Sequence, residues 1–97
     1  MPGFVYAFVH PTIQGLVRIG ATTRDPYEIL AEANKSEWGP LEPYVIACYA
    51  QVEDPFAAKR SVRALVAGRR VNPRRDFYRA SADEARALFA LLDSGPT

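Results

Sequence analysis

The chain is 97 residues long, 24% charged and 48% hydrophobic, with a formal net charge of +1. Such a length predicts one domain over 1–97 with a tail from about 93, and the apolar share argues against a disordered chain. The lone cysteine, Cys48, excludes an internal disulfide framework and a cysteine-based metal site. No apolar run approaches the roughly 20 residues of a membrane span, so a cytoplasmic protein without a membrane partner is expected.

Gly3 to Val9 is β-branched and aromatic and reads as a strand, apolar on both faces and therefore central in its sheet. His10 to Gly15 reads as a turn, with Pro11 and Gly15 as breakers, and Leu16 to Ala21 as a second strand in a hairpin with the first. Asp25-Pro26 opens a helix with Asp25 as N-cap and Glu28 in a capping-box-like position; the helix is expected to run to about Ala33. Residues 34–42 form a loop around Gly39-Pro40, where Trp38 is expected to pack over the core edge. The apolar run Pro43 to Val52 reads as a third strand covered on both faces, with Cys48 a small buried hydrophobe.

Asp54-Pro55 repeats the cap-and-proline device and starts a second helix, for which Gly68 is a plausible end. A basic loop follows around Asn72-Pro73, and Asp76 to Arg79 is a candidate short last strand. Ser81 to Glu84 is a capping box for a third helix, whose apolar positions Ala85, Leu88, Leu91 and Leu92 recur at helical spacing.

Charge is unevenly spread along the chain. Residues 25–54 carry acidic side chains against Lys35 alone, whereas 59–79 hold Lys59, Arg60, Arg63, Arg69, Arg70, Arg74, Arg75 and Arg79 against Asp76 alone. A basic segment of this kind is either a solvated surface or a meeting place for phosphates.

Six short stretches in a fixed order resemble one family. Gly3 leads into Phe4-Val5-Tyr6 on the first strand, and Arg18-Ile19-Gly20 lies on the second. Then come Thr22 to Pro26, Val52 to Pro55, Arg70 to Pro73, and Arg75-Asp76-Phe77-Tyr78 where the pattern has Arg-Glu-Phe-Phe. The chain thereby resembles the GIY-YIG nuclease superfamily, closest to a bacterial and phage branch whose second motif is usually Lys-Ile-Gly. The resemblance implies a small α+β fold: a mixed or antiparallel three-stranded sheet flanked by about three helices.

It also implies a chemistry. Members that cut DNA hydrolyse a phosphodiester with one Mg²⁺ or Mn²⁺. They use a first-strand tyrosine, a tyrosine or lysine on the second strand, a helix arginine and a metal-holding glutamate. Tyr6 matches the first role. Arg18 occupies the second position and can hold a phosphate, but it cannot act as a base. Ile29 stands where the helix arginine belongs, leaving Arg24 as a candidate substitute. Lys59 stands at the glutamate position and Arg63 where a histidine is common. Residues 56–67 contain no acidic side chain in any register, so Asp76 is the remaining candidate metal ligand.

Three functions are therefore in play. The leading expectation is a GIY-YIG-like domain with a degraded nuclease site that binds nucleic acid, DNA ahead of RNA, through Arg18, Lys59, Arg60, Arg63, Arg70, Arg74 and Arg75. The second is an active Mg²⁺-dependent endonuclease. The third is a protein-interaction module with an unidentified protein partner, built on a nuclease-derived scaffold.

Overall fold

A computed structural model describes residues 2–10, 13–35, 44–71 and 77–93. The elements run β1 (Gly3–His10), β2 (Ile13–Thr22), α1 (Pro26–Lys35), β3 (Val45–Val52), α2 (Pro55–Leu65), a 3₁₀ turn (Ala67–Arg69), β4 (Phe77–Arg79) and α3 (Ala82–Asp93). The α+β class holds. The sheet has four antiparallel strands in the order β3-β1-β2-β4, one more than expected, because Phe77–Arg79 pairs with Leu16–Arg18 on the outer edge of β2.

The central place of β1 follows from its side chains. Val5, Ala7 and Phe8 are all but inaccessible, and only a strand flanked on both sides and covered on both faces can bury them so. Alternation sends odd and even residues to opposite faces. Val5, Ala7, Val17, Ile19, Ala50 and Tyr78 form the aliphatic face, which packs against Val62 of α2, Val66 just after it, and Ala85 and Phe89 of α3. Phe4, Tyr6 and Phe8 lie on the opposite, aromatic face. There Tyr49 makes edge contacts with Phe4 and with Tyr27 of α1, with ring centroids 5.9 and 6.0 Å apart.

The helix starts are locally determined. The Tyr27 N–H donates to Asp25 Oδ1 at 2.8 Å, and the Ala57 N–H donates to Asp54 Oδ1 at 3.1 Å, with Pro26 and Pro55 following the caps. At α3 the capping box is complete: the Glu84 N–H donates to Ser81 Oγ and the Ser81 N–H to Glu84 Oε1, both at 3.1 Å.

Several expectations are corrected. β3 is an edge strand and is not covered on both faces; Tyr49 is 45% exposed. Cys48 is accordingly half-buried. His10 ends β1 instead of lying in a turn, and α1 reaches Lys35. α2 ends at Leu65, before Gly68. On α3 the expected Ala85 is buried and Leu88 packs against the core, but Leu91 is 64% exposed and Phe89, at 2% exposure, is buried with Ala85. Trp38 and the loop around it, and the tail beyond 93, lie outside the described residues.

Two side chains hold irregular points. The register skips Ala47, so β3 bulges between Cys48 and Ile46, and Arg86 Nε of α3 donates to the Ala47 carbonyl at 3.3 Å. The Asn34 side chain makes a two-bond clamp on Tyr44, donating to its carbonyl at 3.2 Å and accepting from its N–H at 2.8 Å.

Candidate nucleic-acid interface

The aromatic face carries the two strand motifs. Tyr6 pairs across the ladder with Gly20, and a Cβ at Gly20 would stand 2.2 Å from Tyr6 Oη and 2.3 Å from its Cζ. The glycine is therefore the slot in which the tyrosine ring lies. The ring also stacks on Phe8, with centroids 4.4 Å apart, leaving Tyr6 only 6% exposed. Arg18 pairs with Phe8 on one side and Phe77 on the other, so it shares this face with Tyr6 and is half-buried.

Arg24 does not turn toward Tyr6. It is exposed, and its guanidinium pairs with Glu32 at 2.7 Å and Glu28 at 3.4 Å on α1. The bond to Glu32 and the charges of both glutamates hold its pKa above the ordinary arginine value. Ile29 is half-buried on the same helix.

The cations of α2 belong to the other side of the sheet. Ala58, Val62 and Val66 face the aliphatic core, and Lys59 and Arg63 follow one residue on, half-buried at its margin. Arg60, Arg63, Ala64 and Ala67 join Arg70 and Tyr78 around a pocket of about 330 Å³. A bridge between Arg70 and Tyr78, together with the Val71 N–H donating to the Phe77 carbonyl at 3.0 Å, brings the end of the 3₁₀ turn beside β4. Arg69 takes a different course and pairs with Glu84 at the start of α3. That pair, and next the Ser81 N–H, hold the Glu84 carboxyl below its ordinary range.

Tyr78 is the residue that sequence reading passed over. It is 1% exposed, and its hydroxyl is buried with no hydrogen-bond partner among the described residues. Leaving such a group unsatisfied costs about 1–3 kcal/mol. The available signal was small: Tyr78 stands where the related pattern has a second phenylalanine, a hydroxyl added to a buried ring.

The structure thus brings Arg60, Arg63 and Arg70 together, and leaves Arg18 and Tyr6 on the opposite face of the sheet from α2, which carries the first two. Arg74, Arg75 and Asp76 lie outside the described residues. The candidate ligand Asp76 being among those, only the described residues bear on a divalent cation, and their donor set does not fit one. Among the described residues no three of His, Cys, Asp and Glu come together, and α2 has no carboxylate from Pro55 to Leu65, with Lys59 at the position expected for one. Among the described residues no helix is long and apolar enough to cross a membrane.

Neither a curated protein nor a solved structure gives a match to the chain. A family model described as the T5orf172 domain matches residues 3–93, nearly the whole length. With its hairpin, four-stranded sheet and three helices, the chain belongs to the T5orf172 domain family, a phage-associated group related to nucleases.

Proposed function

We propose that this domain binds nucleic acid through its phosphates and does not cut it by a carboxylate-held metal ion. The observation that carries the reading is the charge of α2. Arg60 and Arg63 have no carboxylate partner among the described residues and line one pocket with Arg70, while Lys59 replaces the glutamate a metal would need. Several cations on one surface attract a phosphate backbone with little regard to base sequence, and such binding weakens steeply with salt. The family's relation to nucleases supports nucleic acid as the partner, with DNA ahead of RNA.

The test is incubation with supercoiled plasmid and Mg²⁺ or Mn²⁺, with and without chelator, beside a gel shift on the same DNA. The expected result is a salt-sensitive shift with no nicking. Metal-dependent nicking that is lost in Tyr6→Phe would overturn the reading in favour of an endonuclease. Absence of both signals would point to a protein partner.

A further inference from the structure

We infer that the pocket under Arg60, Arg63 and Arg70 is a discrete phosphate-binding site in which the Tyr78 hydroxyl is a built-in donor. The inference rests on the reading of the domain as a nucleic-acid binder and names the group that this part of it holds.

The chemistry of the lining points one way. Its polar side chains are three guanidiniums and one phenol; Ala64 and Ala67 add none. Guanidiniums donate and never accept, so none of them can take the Tyr78 hydroxyl proton. That hydroxyl is buried and unpartnered among the described residues. The complement of a lining in which three guanidiniums only donate and a phenol still has its proton to give is an anion rich in acceptor oxygens. A tetrahedral phosphoryl group can serve several guanidinium forks and still leave an oxygen for a phenol. The two alanines leave the volume a larger side chain would fill. Because the hydroxyl is closed to solvent, contact with it requires the flexible arginine side chains of the lining to shift onto the anion.

The same phosphoryl chemistry is offered by a phosphodiester inside a strand and by a phosphate monoester at its end. Inorganic phosphate, titrated by NMR at low ionic strength, is the first probe. Wild type is expected to bind it saturably at one site, and Arg60→Gln with Arg63→Gln to lose that site. Tyr78→Phe is expected to bind about tenfold more weakly without any fall in Tm, since it removes a donor that finds no acceptor among the described residues. Arg79→Gln, an exposed neighbour on β4, serves as the control and should match wild type. Unsaturable phosphate binding, an equal loss in Arg79→Gln, or wild-type affinity in Tyr78→Phe would each overturn the site.

Oligonucleotides that differ only in a 5′-phosphate or a 5′-hydroxyl assign the source. A preference for the phosphorylated end that Tyr78→Phe erases identifies the monoester, and equal binding weakened in both by Tyr78→Phe identifies the diester; either supports the pocket. If DNA shifts with steep salt dependence while inorganic phosphate finds no site, the pocket fails and the binding function stands. If phosphate binds saturably and no nucleic acid does, the pocket stands and that function fails.

Discussion

Helices α1 and α2 are both opened by an Asp-Pro pair, and each lies against its own face of the sheet, α1 on the aromatic side and α2 on the aliphatic. Beyond the cap they diverge. α1 carries Glu28 and Glu32, which neutralise the nearby Arg24. α2 has no acidic residue, and it holds Arg60 and Arg63 at a pocket with no carboxylate partner among the described residues. The same start signal therefore serves two ends. One helix settles its charge internally and covers aromatic rings, while the other sets Arg60 and Arg63 at the rim of a pocket.

Charge reversal on α2 gives the largest expected effect. Arg60→Glu with Arg63→Glu should lower DNA affinity on the order of a hundredfold at low salt and make the salt slope shallower by about two. Glu28→Gln with Glu32→Gln on α1 should leave binding intact or tighten it; fluorescence anisotropy over a salt series reads both. Next comes the aromatic face. Gly20→Ala should cost about 1–3 kcal/mol by urea denaturation, because the new methyl group meets the Tyr6 ring. Tyr6→Phe in that background should recover part of the loss, since Tyr6 Oη is the nearest atom to the added carbon.

The caps come third. Asp25→Ala and Asp54→Ala should each cost about 1 kcal/mol, and unequal losses would show that the two helix starts are not equivalent. The smallest effect is electrostatic. The Glu84 carboxyl is held below its ordinary range by Arg69 and then by the Ser81 N–H. A depressed carboxyl stabilises the fold at pH values above the unfolded pKa and loses that contribution as pH falls through the folded one. The stability gap between wild type and Glu84→Gln should therefore be full near neutrality and close below about pH 4.

What could be read from the sequence was local. The caps at Asp25, Asp54 and Ser81, and the place of β1 at the centre, depend on residues a few positions apart or on one strand's own side chains, and all are found. Order along the chain carried the relation to nucleases, because six motifs must recur together, and the family that matches residues 3–93 is nuclease-related. Coverage was less legible. β3 reads as buried because it is apolar, but only strand order reveals it as an edge. On α3, Phe89 and Leu91 are both apolar, and the choice between them rests on which side of the helix meets the sheet. The site was the least legible part. Spacing puts Arg60 and Arg63 near one another, but the bridge from Arg70 to Tyr78 is a tertiary event. Arg18 and the α2 cations, grouped in one binding set from sequence, lie on opposite faces for the same reason, since a strand's parity decides its face only after its pairing is known.

The Asn34 clamp on Tyr44 has a consequence for how such a chain can vary. By bonding both the N–H and the carbonyl of Tyr44, one side chain imitates a rung of backbone ladder between the end of α1 and the approach to β3. A substitution at Asn34 therefore reaches two elements at once. An aspartate there offers acceptors but no donor, so it can keep the bond from the Tyr44 N–H and must lose the one to its carbonyl.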